Sequence, residues 1–158
     1  MTPAARTHAS QAAAGTLDGM SLRIRPFERA DTESVVALWE EAGLTRPWND
    51  PRRDIERKLS VQPELFLVAL DGDRLVGSVM AGYDGHRGWL YYLAAREPRR
   101  GIGRALVAEA EERLVALGCP KVQLMVRRDN EAARGFYDAL GYEPVDVWMA
   151  GRRLIADG

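Results

Sequence analysis

The strongest constraint on this chain is a run of three β-forming segments joined by turns too short to hold a helix. In ELFLVALDGDRLVGSVMAGYDGHRGWLYYLAA, residues 65–70 and 75–81 flank Asp71-Gly72-Asp73. Glycine there supplies the positive φ of a tight hairpin. Residues 89–95 follow the polar turn Asp84-Gly85-His86-Arg87-Gly88 and are expected to run antiparallel to the second segment. These linked strands commit the middle of the chain to a sheet.

Helical periodicity surrounds the sheet. Upstream, Leu22 and Ile24 alternate with Arg23 and Arg25 in a short strand that Pro26 closes. Asp31 then caps a helix whose apolar face carries Val35, Leu38, Trp39 and Ala42, ending at Gly43. Asp50 and Pro51 open a second helix to about Ser60, with Ile55 and Leu59 one turn apart. Downstream of EPRRGIG, Leu106, Ala110, Leu114 and Leu117 share one helix face and Gly118 ends it. Val122, Leu124 and Val126 alternate as a strand, and Ala133, Phe136, Tyr137 and Leu140 mark a short amphipathic helix. GYEPVDVWMAG reads as a last strand, with RRLIADG available to cover an edge. The order is strand, two helices, three strands, helix, strand, helix, strand. It predicts a mixed α/β sheet, not the regular βαβ alternation of a doubly wound dinucleotide fold.

At 158 residues the chain holds one domain, since domains average roughly 150 residues. Residues 1–20, rich in Ala, Thr, Ser and Gly, are expected to be a loose extension, leaving 21–158 as the domain. A composition 46% apolar and 28% charged supports a real core, and a formal charge of -1 gives no polycationic surface for nucleic acid. One cysteine, Cys119, with only His8 and His86, excludes an internal disulfide and offers no obvious zinc cluster, so no metal is expected. No apolar run is long enough to span a membrane and no secretory leader is evident. A cytoplasmic setting is the expectation.

The clearest chemistry lies at Arg99-Arg100-Gly101-Ile102-Gly103-Arg104, between a predicted strand and the long helix. Glycines let backbone N–H groups converge on an anion, the helix terminus adds favourable partial charge, and guanidinium groups suit phosphates. A phosphate or pyrophosphate is the expected ligand; the alternative is a solvated turn with surface arginines. The segment is not a P-loop, because GxxxxGK[ST] is missing. The second junction, RRDNEAARGFYDALGY, has two readings as well. It is either a capped structural helix, or one whose Tyr137 phenol stands as a proton donor at the end of a cleft.

Taken together, LWEEAGLTRPWNDP, GYDGHRG, the arginine and glycine stretch, GCPK and DNEAARGFYDALGY occur in an order that resembles the GCN5-related N-acetyltransferase (GNAT) superfamily, over residues 22–151. The similarity is greatest to the small bacterial YpeA-type acetyltransferases. The resemblance implies a GNAT-like, mostly antiparallel sheet with a splayed central parallel pair, residues 89–95 and 121–126, flanked by about four helices. It also implies acetyl transfer from acetyl-coenzyme A (acetyl-CoA) to a primary amine on a small molecule, peptide or protein. Leu93 and Ala95 would border the pantetheine arm. Arg99, Arg100, Gly101, Ile102, Gly103, Arg104 and Ala105 would hold the pyrophosphate, and Asn130, Ala133 and Phe136 would line the junction. Tyr137 would protonate the leaving thiolate. Arg100 to Ala105 fit the family's glycine motif as written, while an alternative register aligns Pro98 where Arg or Gln is common. A homodimer is compatible with the resemblance and with the prevalence of two-fold assemblies.

The simplest mechanism is direct attack of a neutral amine on the thioester in a ternary complex, with no covalent enzyme intermediate. Cys119 lies at the far end of the long helix and is read as structural. Some relatives place a Glu five residues before the junction Asn, but Met125 stands there. Asp50, Asp84, His86 or a held water remain as alternative bases. Trp48, Asn49, Tyr91 and Tyr92 are candidates to shape an acceptor pocket, the tyrosines alternating to opposite faces. The competing functional reading is a catalytically weak acyl-CoA-binding sensor; a purely structural interaction module is a third.

Overall fold

The computed structural model describes residues 12–17, 19–98 and 100–158. Among these residues six strands form one sheet in chain order: β1 (Ala13–Leu17), β2 (Met20–Pro26), β3 (Phe66–Asp71), β4 (Arg74–Tyr83), β5 (Gly88–Ala95) and β6 (Val122–Leu124). All neighbours are antiparallel except β5 and β6. Four α-helices among the described residues accompany the sheet: α1 (Thr32–Glu41), α2 (Pro51–Leu59), α3 (Ile102–Ala116) and α4 (Glu131–Ala139). The mixed sheet and its flanking helices are as expected.

Two details differ from the sequence reading. Residues 13–17, expected to belong to a loose extension, pair antiparallel with β2, Ala13 opposite Ile24 and Leu17 opposite Met20. Residues 1–11 of that stretch lie outside the described residues. The backbone of Ala, Gly and Thr supplies ladder hydrogen bonds whatever its side chains, so an existing edge recruits a segment that composition alone would leave loose. The expected final strand over 141–151 is not formed, so the parallel pair β5–β6 sits at the sheet edge instead of its centre.

The sheet separates two apolar layers. On one face Ile102, Leu106, Val107, Ala110 and Leu114 of α3 pack on Leu22, Ile24, Val76, Val79 and Leu90, with Phe136 and Tyr137 of α4 and the following Leu140 against the same layer. On the other face, Val35, Leu38 and Trp39 of α1 and Ile55 of α2 pack on Phe66, Val68, Met80 and Ala94. Trp39 is fully buried and its Nε1–H donates to Ser78 Oγ at 2.9 Å, so the polar atom of each side chain is satisfied inside the core. Close approach of α3 to β4 depends on Gly77, where a Cβ would stand 2.8 Å from both Ile102 Cγ2 and Leu106 Cδ1.

Helix starts follow local chemistry. The Asp50 side chain accepts the Arg52 N–H at 2.9 Å with Pro51 in the first turn, and Asn130 Oδ1 accepts the Ala133 N–H at 3.1 Å. The Asp31 carboxylate instead pairs with Arg25 through contacts of 2.7 and 3.0 Å and takes the Glu28 N–H at 2.8 Å. It therefore anchors β2 to the turn before α1.

Candidate active site

The parallel strands stay together only briefly. Gly88, Trp89 and Leu90 pair with Val122, Gln123 and Leu124, after which β6 ends while β5 continues through Ala95. Over residues 91–95 β5 is paired only with β4, and its other side opens toward the junction between β6 and α4. Leu93 and Ala95 lie on the α3 side of this stretch, partly exposed.

The turn leading out of β5 delivers the chain to Gly101, which has φ +82° and is the residue before α3. A side chain at that φ is strained, and a Cβ there would meet Leu17 Cδ2 at 3.2 Å. Its N-cap residue, a glycine, has no side chain to cap the helix; the first backbone bond runs from the Ala105 N–H to the Gly101 carbonyl at 3.0 Å. The N–H groups of Ile102, Gly103 and Arg104 are thus the leading donors of a fifteen-residue helix, at the positive end of its dipole. This geometry establishes Gly101 as the entry residue. The Ile102 side chain is buried in the core, so only its backbone belongs to the entry, whereas Arg104 is exposed. Arg100 forms an ion pair with Glu97, which also holds Arg74 at 2.7 Å. Arg99 lies outside the described residues.

Across this entry, α4 comes close. A Cβ on Gly103 would stand 3.3 Å from Phe136 Cζ, so Gly103 makes room for the aromatic ring. Tyr137 packs edge-on to both Phe136 and Tyr142, with ring centroids at 5.0 and 5.5 Å. Burial pushes its phenol up to about 12, so the hydroxyl holds its proton at neutral pH. Ala133 is half-buried beside it on the same helix, and Asn130 has its carbonyl oxygen engaged in the cap.

The opposite face of β5 carries a second polar cluster. Between the pairs Ser78–Ala94 and Met80–Tyr91 the register shifts, so Tyr92 and Leu93 oppose Val79 alone. Tyr92 takes φ +50° at this bulge. Its ring stacks on Trp39 at 3.9 Å, on the α1/α2 face. Tyr91 stacks with Trp89 at 6.3 Å, and alternation sets both opposite Leu90 of the α3 layer. The expectation that Tyr91 and Tyr92 face opposite sides is therefore corrected: the bulge cancels one step of alternation and turns both toward α1 and α2.

Tyr92 Oη donates to Asp54 Oδ2 at 2.7 Å and accepts from Asn49 Nδ2 at 3.0 Å, and Asn49 Nδ2 also donates to Asp54. Arg57 joins Asp54 to Asp157, and Asp157 Oδ2 accepts the Asp50 N–H at 2.7 Å. Burial and then the Asp54 carboxylate push the Tyr92 phenol well above its ordinary value. A shallow cleft of about 670 Å³ is bordered here by Glu40, Arg46, Trp48, Asn49, Arg52 and Asp157. Asp54 and Asp157 were not singled out from the sequence: their partners stand far away in the chain, and only the spacing of Asp54 after Asp50 marks it as a helix residue.

Asp84, Asp50 and Cys119 have structural partners. Asp84 Oδ1 accepts the N–H groups of His86 and Arg87 at 2.8 and 2.7 Å, which hold its carboxyl below the ordinary value and close the β4–β5 turn. Asp50 caps α2. Cys119 Sγ lies beside Gly88 and donates to the Lys121 carbonyl at 3.4 Å. Among the described residues no cluster of three His, Cys, Asp or Glu side chains is placed to hold a metal, and no helix is long and apolar enough to cross a membrane.

Solved structures share this fold. Ard1 from Thermoplasma volcanium matches with a TM-score of 0.68 and 28% identity over 76% of this chain and 81% of that one. The aminoglycoside N-acetyltransferase AAC(6')-Iy, solved in complex with CoA, shares the fold at a TM-score of 0.71 and 17% identity, over 87% and 97% of the two chains. Residues 30–142 match the Acetyltransferase (GNAT) family, and the chain belongs to that family. Curated relatives carry the same description. Acetyltransferases of Yersinia enterocolitica and Pectobacterium atrosepticum are each 54% identical over 138 residues, covering 86% of this chain and 98% of theirs. Family membership makes the protein an acyltransferase with acetyl-CoA as its acyl donor.

Proposed function

We propose that the protein transfers the acetyl group of acetyl-CoA to a primary amine by direct attack in a ternary complex. The observation that carries this reading is the uncapped α3 entry at Gly101, set beside the stretch of β5 that β6 leaves open. The N–H groups of Ile102, Gly103 and Arg104 bind the pyrophosphate, with Arg100, Arg104 and Ala105 at the same turn. Backbone groups around Leu93 and Ala95 line one side of the acyl arm, and Asn130, Ala133 and Phe136 border the other. Arg99 belongs to this set by sequence.

Tyr137 supplies the proton. Its phenol is held protonated by burial, and the departing thiolate needs one proton as the thioester C–S bond breaks. The amine nitrogen forms the new C–N bond and loses a proton to solvent or to a carboxylate at the acceptor side. Trp48, Asn49, Tyr91 and Tyr92 shape that acceptor side, because the bulge turns both tyrosines toward α1 and α2. The acceptor is a small-molecule amine or a peptide or protein amine. The reduced lone cysteine and the acyl donor fit a cytoplasmic setting.

The test combines purified protein and acetyl-CoA with metabolite and peptide amine pools, reading free thiol and acetylated product together. Stoichiometric thiol and N-acetyl product is expected. Thiol release by hydrolysis alone would overturn the assignment of an amine acceptor.

A further inference from the structure

Lys58, in the last turn of α2, is 9% exposed, and its ammonium forms no hydrogen bond or ion pair among the described residues. A cation buried in this way is costly unless something completes it. The nitrogen is not sealed from solvent, so a ligand can reach it. It lies where β4 has no side chain: a Cβ on Gly82 would stand 3.8 Å from Lys58 Nζ and 3.7 Å from Gln62 Oε1. Gln62 is engaged with the strand, its Oε1 accepting the Tyr83 N–H at 2.8 Å and its Nε2 donating to the Tyr83 carbonyl at 3.0 Å. Nearby carboxylates are committed elsewhere. Asp54 is held by Tyr92, Asn49 and Arg57, and Asp84 by the His86 and Arg87 N–H groups. Glu64 acts on Lys58 without pairing with it, and burial holds the ammonium below the ordinary lysine value. Gly82 pairs with Trp89, one residue before Leu90, where the pairing of β5 with β6 ends. The unpaired cation therefore stands beside the point at which the sheet opens, on the face that carries Trp89 and Tyr91.

Resting on the acetyl-transfer reading above, we propose that Lys58 binds a carboxylate of the acceptor, so that the substrate class is amino carboxylic acids. The gap at Gly82 admits the carboxylate to Nζ, Trp89 and Tyr91 flank the carbon skeleton, and the amine is directed to the opening of β5. One ammonium balances one negative charge. Glu64, which acts on Lys58, and Asp84, which acts on Tyr91, oppose the second charge of a phosphate monoester. In a chain whose other basic side chains are arginines save Lys121, lysine at this position supplies a compact point charge that fits a gap one glycine wide.

The test has two measurements, one independent of turnover. In the first, the common amino acids are compared as acceptors with their matching carboxamides, for the full-length wild type and for Lys58→Met, which keeps the covered stem. The wild type is expected to favour the acid in kcat/KM by roughly 10- to 100-fold, the worth of one hydrogen bond between charged groups. In Lys58→Met that ratio should fall close to one, with acetyl-CoA affinity retained by isothermal titration. A wild type that takes acid and amide alike, or a preference that survives in the variant, overturns the proposal. The second measurement uses lysine isotope-labelled at Cε, which gives NMR signals from Lys58 and Lys121 alone. Titration with the same amino acids in the presence of CoA should move the Lys58 signal saturably, whereas the carboxamides should not move it. A Lys58 signal that stays in place overturns the carboxylate site. A saturable shift without acetylation of any amine leaves that site standing and sinks the acetyl-transfer reading instead. An acetyl group found on Lys58 itself by mass spectrometry would make it an acceptor, and likewise overturns the proposal.

Discussion

The Tyr92 hydroxyl donates to Asp54 Oδ2 at 2.7 Å and so ties the bulge of β5 to the first turns of α2. Tyr92 stands at φ +50°, a conformation that costs an aromatic residue about 1–3 kcal/mol. Stacking on Trp39 and the bond to Asp54 hold it there. Replacing Tyr92 by Phe keeps the stack and removes the hydroxyl, leaving Asp54 with Asn49 and Arg57. A loss of about 1.5 kcal/mol in urea unfolding is expected for a hydrogen bond to a carboxylate. Acetyl-CoA affinity should be unchanged while the KM for the amine rises, because the cluster faces α1 and α2 and not the α3 entry. Equal losses on both substrates would sink the assignment of this face to the acceptor.

For Tyr137→Phe the expected outcome is a fall in kcat of roughly 100-fold, the lower range for loss of a general acid, with acetyl-CoA affinity kept. The wild-type pH profile adds an independent check. Because burial raises the phenol from 10.0 to about 12, its proton is still present where an ordinary tyrosine would have lost it. Activity should rise as the acceptor amine deprotonates and show no descending limb assignable to Tyr137 until pH approaches 12. A Phe variant with unchanged single-turnover rate would remove Tyr137 from the chemistry.

Gly101→Ala places a Cβ at φ +82°, 3.2 Å from Leu17 Cδ2. The conformational cost is about 1–2 kcal/mol. Relief of that strain rotates the peptide leading into α3 and displaces the N–H groups of Ile102 and Gly103. Weaker acetyl-CoA binding by isothermal titration is expected together with the lower melting point. Lower stability with undiminished affinity would show that the helix entry does not hold the pyrophosphate.

Asp157 ties the end of the chain to α2 and has a side chain only 4% exposed. The Arg57 guanidinium, then the Asp50 N–H, hold its carboxyl at about 2, against 3.8 for an ordinary aspartate. The sign follows from this depression: docking is fully supported above about pH 4 and is lost as pH falls through about 2. The indole NMR signal of Trp48, which borders a cleft with residues 151–155, should report the release. Asp157→Asn should give the released signal at neutral pH. A wild-type signal that shifts only above pH 4 would assign the titration to another group.

Much of the fold was written locally. The Asp71-Gly72-Asp73 turn, the Asp50-Pro51 cap, the Asn130 cap and the apolar period of residues 106–114 each act within a few residues, so their elements could be placed from the sequence. Gly101 as a helix entry belongs to the same class, since positive φ and missing side-chain bulk are local properties. Other features depend on partners distant in the chain. Residues 13–17 become a strand because β2 offers an edge, whereas residues 143–149, a strand by pattern, join no strand of the sheet. The β5 bulge is a register between two strands, which alternation along one of them cannot reveal, and it alone turned Tyr92 onto Trp39 and Asp54. The sequence thus determined most of the elements, through capping, turn chemistry and period, and its motifs in their order carried the resemblance to the family. Tertiary packing decided which side chains meet, because those contacts join residues whose spacing in the chain carries no signal.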